Sequence, residues 1–368
     1  MTAFHLTRSE ELHRRVRRFI DERSAGPSST ESFDALALAL AAHQFASRTG
    51  VERLFASIGC SPDSLSRAAD IPAVPTDVFK LRRVACHTPD LDIVVFMTSG
   101  TTLGTRGRHA LRDTSTYRRG ARAWGKRMLC PDTDRLHFIL LAPPYAENET
   151  SSLGFMLDDF SRAFGASTTW ALRQGRVDVD AIRASIDRAT HDHLPVILAG
   201  ASFAFVHLLD AIGETSLPLG EGGRVMQTGG FKGKSREING PALREMLSRL
   251  FEIPSSRIVA EYGMTELGSQ AYEGCLSMGM REGVFLAPPW MRVRAVHPET
   301  LDEVRNGDEG LARIEDLTNV DSAVAVQTAD RIRLRDNGFV LLGRCASATP
   351  RGCSIGIDEI LDRGGAGS

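Results

Sequence analysis

Between positions 136 and 262, short apolar runs alternate with segments of helical period, and no other feature restricts the fold of this chain as strongly. Residues 136–141, 196–199, 224–227 and 257–261 are too short for helices and rich in Val, Ile and Leu, so they read as buried strands. Between them, residues 151–164, 179–188, 202–212 and 236–250 carry apolar side chains at helical spacing. Strands joined through helices lie parallel, because a parallel neighbour needs a long crossover. The pattern therefore predicts an α/β fold, with ligand-binding loops at the carboxyl ends of the strands.

The flanks differ. Residues 7–24 form a predicted helix whose apolar stripe is Leu12, Val16, Phe19 and Ile20, with Thr7 and Glu10 spaced as a capping box. Gly26-Pro27-Ser28-Ser29 ends it. Two more helices are expected over 32–47 and 51–58. The prolines of Ile71-Pro72-Ala73-Val74-Pro75-Thr76 hold that stretch extended. After position 284 the pattern turns to strands, over 290–296, 310–315, 324–328, 332–334 and 339–342. The division is thus 1–85 for a helical cap and extended arm, 86–283 for an α/β core, 284–345 for a β-rich subdomain and 346–368 for a short tail.

With 368 residues and 42% hydrophobic composition, the chain can bury a large core. A net charge of −2 argues against nucleic acid or a membrane surface as partner. No apolar run is long enough to span a bilayer, and the N-terminus lacks the apolar core of a signal peptide. Six dispersed cysteines without a C-x-x-C pair fit reduced thiols in a cytoplasm.

Four stretches carry chemistry. Ile93-Val94-Val95-Phe96 reads as a buried strand leading into Met97-Thr98-Ser99-Gly100-Thr101-Thr102-Leu103-Gly104-Thr105-Arg106-Gly107-Arg108-His109. Its glycines let backbone N–H groups approach an anion, its hydroxyls donate to phosphate oxygens, and Arg106 and Arg108 supply charge. Read without that chemistry, it is an ordinary flexible loop. Glu261-Tyr262-Gly263-Met264-Thr265-Glu266 places a hydroxyl beside a carboxylate just past a strand, suited to an α-phosphate and to Mg²⁺. Asp330 before a hairpin and Gly343-Arg344 after it suit ribose hydroxyls and a phosphate oxygen. Taken singly, Asp330 reads equally as a turn cap and Arg344 as a surface charge. Thr228-Gly229-Gly230-Phe231-Lys232-Gly233-Lys234-Ser235 is one glycine short of a Walker A loop, so a P-loop NTPase is a remote alternative.

Taken together these motifs resemble the adenylate-forming superfamily of acyl-CoA synthetases and phenylacetate-CoA ligase-like enzymes. Thr98 to Gly104 is similar to its T-S-G-T-T-G loop, Tyr262 to Glu266 to its Y-G-x-T-E motif, and Asp330 with Gly343-Arg344 to its late Asp and G-R pair. The extended arm with Phe79-Lys80, the T-G-G-(aromatic)-K run at Thr228 to Lys232, and Arg351-Gly352-Cys353-Ser354 narrow the resemblance to LuxE-type acyl-protein synthetases. Two departures stand out. Leu103 is inserted before Gly104, and no lysine follows Arg344, whereas larger ligases carry one in a further domain. The expected fold is therefore that of the large domain of an adenylate-forming enzyme, with the lysine-bearing domain absent or reduced to the tail.

The resemblance implies ATP-dependent activation of a carboxylic acid as an acyl-adenylate, with ATP and Mg²⁺ and with release of AMP and pyrophosphate. It assigns ATP binding to Thr98, Ser99, Gly100, Thr101, Thr102, Gly104, Arg106, Gly229, Gly230, Tyr262, Gly263, Thr265, Asp330 and Arg344, and the metal to Glu266. Catalysis is expected from Cys353, Glu266, Lys232 and Arg344. Lys232, Lys234, Arg106 and His109 are candidates for the cation that replaces the missing lysine. Phe203, His207 and Tyr262 are expected at the acid, with residues 142–155 lining its pocket, although a histidine on an apolar helix face is more often a core residue. Cys353 is the expected acyl acceptor. A carrier protein, CoA or an amine is the alternative, and a partner reductase is implied downstream.

Overall fold

The computed structural model of the protein describes residues 3–47, 50–99, 105–213, 215–229 and 238–345. In chain order it contains helices α1 (Ala3–Ala25), α2 (Phe33–Ala46) and α3 (Val51–Ser57), strand β1 (Val74–Pro75), helix α4 (Val78–Leu81), and strands β2 (Val94–Met97) and β3 (Arg108–Leu111). Helix α5 (Ser115–Leu129), strand β4 (Leu136–Leu141), helix α6 (Ser152–Phe164), and strands β5 (Gly165–Trp170), β6 (Leu172–Arg173) and β7 (Arg176–Val177) follow. Then come α7 (Val179–His191), β8 (Val196–Ala201), α8 (Ser202–Ile212), β9 (Arg224–Thr228), α9 (Gly240–Phe251), β10 (Ile258–Tyr262), β11 (Ala271–Glu273), α10 (Cys275–Met278) and β12 (Val284–Leu286). Strands β13 (Met291–Val296), β14 (Glu309–Asp316), β15 (Ala325–Arg335) and β16 (Gly338–Arg344) complete the described chain. Two compact units result. The first takes Met1–Ala123, Met264–Gln270 and Ala287–Ser368, and the second takes Trp124–Gly263 and Ala271–Leu286.

The second unit holds the alternating pattern. Its strands run in the order β12-β11-β10-β9-β8-β4-β5. The five from β10 to β5 are parallel, and β11 and β12 are antiparallel additions. Ile139, Leu198, Val225 and Ile258 share one face and pack with Ile182, Phe205 and Leu247 of the covering helices. Each such side chain contributes about 1.5–3 kcal/mol on burial. Ser151, Asp178 and Asn239 cap α6, α7 and α9 by accepting from backbone N–H groups three residues on. One helix start is corrected. Helix α9 opens at Gly240, five residues past Ser235, so it does not begin on the Lys-Ser pair as the helix of a P-loop does.

The first unit contains α1 to α4, the β2–β3 hairpin and the antiparallel meander β13-β14-β15-β16. The extended arm joins this sheet, with Val74 and Pro75 of β1 lying parallel to Val326 and Gln327 of β15. Three expectations change. Helix α1 begins at Ala3, so Thr7 sits inside it and is no N-cap. Residues 324–328 and 332–334 are parts of the one strand β15, whose ladder with β14 carries the polar residues between them. The run at 93–96 is not a buried strand of the parallel sheet. It forms a two-stranded hairpin in which Phe96 is buried, Val94 and Val95 are half-buried and Ile93 is exposed.

The buried stripe of α1 also includes Ser9 and His13. Both reach Asp321, which is 5% exposed: Ser9 Oγ donates at 2.6 Å and His13 Nε2 lies 3.1 Å away. His43 Nε2 of α2 is 3.1 Å from the same carboxylate, and Arg112 Nε is 3.4 Å away. Burial opposes ionisation of Asp321, but the bonds from His13, His43 and Ser9 outweigh it and hold the carboxyl below its usual range. Removing one member of a buried charged cluster leaves the others unpaired. Asp321→Ala is therefore expected to cost about 3–5 kcal/mol in urea unfolding. A loss under about 1 kcal/mol would show that these donors have other partners.

Candidate functional site

In the first unit, residues 98–107 form the connection of an antiparallel hairpin rather than a strand-to-helix loop. Its neck is closed by hydrogen bonds. Thr98 N donates to Gly107 O at 3.0 Å, and Gly107 N donates to Thr98 Oγ1 at 2.9 Å. Arg106 Nε donates to Thr98 O at 2.6 Å and its Nη2 to Met97 O at 3.3 Å, so this guanidinium binds the neck itself. Ser99 is exposed. Gly100, Thr101, Thr102 and Gly104 lie outside the described residues.

The carboxylate of Glu266 lies against this neck. A Cβ on Gly107 would come within 3.2 Å of Glu266 Oε1 and 2.9 Å of Thr98 Cγ2, so the approach needs glycine there. Glu266 belongs to a segment, residues 264–270, whose backbone is held by buried side chains. His109 Nδ1 is 2.8 Å from Thr265 O, and Asn319 Nδ2 donates to Glu266 O at 2.9 Å. Gly268 N and Ser269 N donate to Asp316 Oδ2 at 3.1 and 2.8 Å. A Cβ on Gly268 would meet Thr318 Oγ1 at 2.4 Å, so this contact too admits only glycine.

His109 is corrected as a cation. It is fully buried, with Ser322 Oγ 2.9 Å from Nε2 and Phe79 edge-on at 5.8 Å. Desolvation pushes its pKa down to about 4, despite its bond to Thr265. Neutral at pH 7, its Nδ1–H donates to the Thr265 carbonyl and its Nε2 accepts from Ser322. It therefore fixes the segment that carries Glu266 and supplies no charge.

Asp330 and Arg344 face each other across the β15–β16 ladder, with Arg344 Nε 3.6 Å from Asp330 Oδ1. Asp330 lies within β15, and the side chain of Arg344 is 63% exposed. The hairpin spacing brings this pair together. Among the described residues no group of three His, Cys, Asp or Glu side chains could hold a metal. One carboxylate suffices for Mg²⁺, which keeps waters and takes substrate phosphates as further ligands, so Glu266 fits that ion.

In the second unit, Gly229 and Gly263 are exposed at the ends of β9 and β10, and Tyr262 is buried edge-on to Phe285. Phe203 and His207, one turn apart on α8, are half-buried with ring centroids 6.2 Å apart. Gly230, Lys232, Lys234 and Cys353 fall outside the described residues. The sequence reading missed Asp316, Asn319 and Ser322. Their only signal is a polar run, residues 315–322, that lacks the glycine or proline of an ordinary turn.

The profile of a family described as acyl-protein synthetase, LuxE, matches residues 60–361. A long-chain-fatty-acid–luciferin-component ligase of Aliivibrio fischeri is 24% identical over 318 residues, covering 82% of this chain and 81% of that protein. Among solved structures, 2-hydroxyisobutyryl-CoA ligase in complex with 2-HIB-AMP and CoA aligns with a TM-score of 0.60 at 12% identity, over 87% of this chain and 80% of that one. ATP-bound MatB from Rhodopseudomonas palustris aligns with a TM-score of 0.51 at 18% identity, over 81% of this chain and 57% of that one. The fold is that of adenylate-forming ligases.

One titrating group lies near the end of β10. Glu261, 7% exposed, accepts from Thr228 Oγ1 and stands opposite Tyr272 across the ladder. Burial raises its pKa from 4.5 to about 7 against the Thr228 bond. The folded state therefore keeps this proton to higher pH than the unfolded chain does. The stability it contributes is fully present below about 4.5 and is lost as pH rises through about 7. Melting temperatures of Glu261→Gln across that window should lack this decline. Parallel curves for the variant and wild type would contradict it.

Proposed function

From its membership of the LuxE acyl-protein synthetase family, we propose that this chain activates a carboxylic acid with ATP and transfers the acyl group to a thiol, Cys353. The observation that carries the site assignment is the setting of Glu266 against the neck of the Thr98–Gly107 hairpin, with Asp330 and Arg344 in the same unit.

A carboxylate oxygen of the acid attacks the α-phosphorus of ATP. The bond from that phosphorus to the bridging oxygen breaks, and pyrophosphate leaves with the electron pair. In this reading the hydroxyls and backbone N–H groups of Thr98, Ser99, Gly100, Thr101, Thr102 and Gly104 hold the polyphosphate, and Thr265 holds the α-phosphate. Asp330 accepts from the ribose hydroxyls, with Arg344 beside it. Mg²⁺, when bound at Glu266, supplies neutralising charge to the phosphates. With Arg106 engaged at the neck and His109 neutral, Lys232 and Lys234 are left for the developing charge, and Lys232 is the one the T-G-G-(aromatic)-K resemblance assigns.

A thiolate then attacks the acyl carbon, and AMP leaves as the carbon–oxygen bond breaks. The described cysteines support Cys353 by contrast. Burial pushes the thiols of Cys130 and Cys275 up to about 11, that of Cys86 further up, and that of half-buried Cys60 up as well, so none is a ready nucleophile. Cys345 is half-buried and its N–H is bonded to Ala329 O at 2.9 Å. Cys353 follows Arg344 by nine residues, enough for an extended reach of about 30 Å. A partner reductase would take the thioester onward, and a free thiol acceptor places the reaction in the cytoplasm.

Acid-dependent ATP–pyrophosphate exchange tests the first half-reaction. Glu266→Gln should lower it by about 10²–10³-fold while leaving the melting temperature intact. His109→Phe should lower kcat by more than about tenfold with a smaller change in KM for ATP, because it shifts the Glu266 segment by a fraction of an ångström. His109→Asn, which still donates to the Thr265 carbonyl, should recover most of that loss. Near-normal exchange in both Glu266→Gln and His109→Phe would remove the assignment.

The second half-reaction separates from the first. Cys353→Ser should keep pyrophosphate exchange and lose the hydroxylamine-sensitive acyl label on the chain, whereas Cys345→Ser should keep both. A labelled Cys353→Ser protein would move the nucleophile elsewhere. Adenylate formation without any self-labelling in wild type would point to an external acceptor.

A further inference from the structure

The strand order of the second unit reverses direction at one point. From β4 the chain passes outward to β5, then returns to the other side of β4 and continues through β8, β9 and β10. In a doubly wound sheet the ligand crevice opens at the carboxyl ends of the strands flanking such a point. The loop after β4 leads into α6, and the chain after β8 enters α8, on which Phe203 and His207 lie.

Four side chains form a row across this carboxyl edge on one face of the sheet. Ala201 pairs with Thr228, Thr228 with Glu261, and Glu261 with Tyr272. The row faces α6, since the Tyr272 hydroxyl lies 3.6 Å from Met156 Sδ. Three of the four are polar, whereas the preceding positions on the same face, Ala199, Met226 and Val259, are apolar. Thr228 is half-buried, so the row is not sealed. Among the described residues, Thr228 is the side-chain partner of Glu261, and no cation lies near enough to pair with it. A buried carboxyl with one partner carries an uncompensated desolvation cost that a further hydrogen bond would offset.

Resting on the adenylation reading above, we propose that Glu261, Thr228 and Tyr272 form a polar subsite of the acid pocket, selecting an acid with a hydrogen-bonding substituent over a saturated hydrocarbon chain. A hydroxyl or amino group reaching this row would satisfy the second oxygen of Glu261. An alkyl chain of the same length would cover that oxygen and leave it without a partner. The tuning of Glu261 to a pKa of about 7 supports the same role, because a carboxyl near half-protonation both donates and accepts at neutral pH. Sites built to bond a substrate hydroxyl discriminate strongly against the analogue that lacks it, whereas apolar pockets reject an added hydroxyl by about a hundredfold.

Pyrophosphate exchange at pH 7 with two matched pairs of acids tests the subsite. The pairs are benzoate with its para-hydroxy derivative and decanoate with its omega-hydroxy derivative. Wild type should favour the hydroxylated member of at least one pair by about tenfold or more in kcat/KM. Glu261→Leu should bring that ratio to near one or below, and Thr228→Val should reduce it, so that misfolding of one variant does not decide the matter. Exchange in which wild type uses decanoate and benzoate as well as their hydroxylated partners, with ratios unchanged in both variants, overturns the subsite and leaves adenylation standing. No exchange with any of the four acids overturns the adenylation reading, and the subsite with it.

Discussion

A backbone segment without regular structure can lie inside a protein only if side chains satisfy its N–H and C=O groups. In residues 264–270, four of these groups are met by three residues distant in sequence. His109 takes the Thr265 carbonyl, Asn319 takes the Glu266 carbonyl, and Asp316 takes the N–H groups of Gly268 and Ser269. The position of Glu266 therefore follows from buried polar contacts. Neither a helix nor a strand sets it.

Asp316 ends β14 and Asn319 lies in the connection to β15, and that stretch serves a second purpose. A few residues beyond Asp316 and Asn319, Asp321 gathers Ser9, His13, His43 and Arg112. The same stretch thus anchors α1 and α2 and holds the Glu266 segment. Such clusters are expensive to bury, and apolar side chains of equal size can match their stability. They place atoms with a precision that apolar packing does not, because each bond specifies a direction as well as a distance.

The second unit works by different means. Its sheet is assembled by apolar contact, with Val225, Ile258 and Leu198 against Phe205 and Leu247, while Thr228 and Glu261 sit at the carboxyl edge of the strands. There Glu261 and Thr228 stand where an apolar pair would have packed at lower cost. The buried cysteines follow the apolar pattern instead: Cys130 and Cys275 behave as small hydrophobes whose thiols are held protonated.

Legible in the sequence are four of the five parallel strands, β4, β8, β9 and β10 but not β5, the helices α2, α6, α7 and α8, and the placing of Asp330 and Arg344 on either side of a hairpin. These are local matters of period, cap and spacing, and Ser32, Ser151 and Asp178 announce their helix starts within a few residues. The sequence determined that Leu12, Val16, Phe19 and Ile20 share a stripe, but Ser9 and His13 on the same stripe carry no sign of their partner some 300 residues away. That Thr98 to Gly107 closes an antiparallel hairpin and that 325–335 is one strand follow from the folded ladder, because ladder partners override the preferences of a polar run. Tertiary structure also decided that His109 is neutral. A histidine's charge depends on whether water reaches it, and burial against Phe79, Thr265 and Ser322 is a property of the fold that no local spacing encodes.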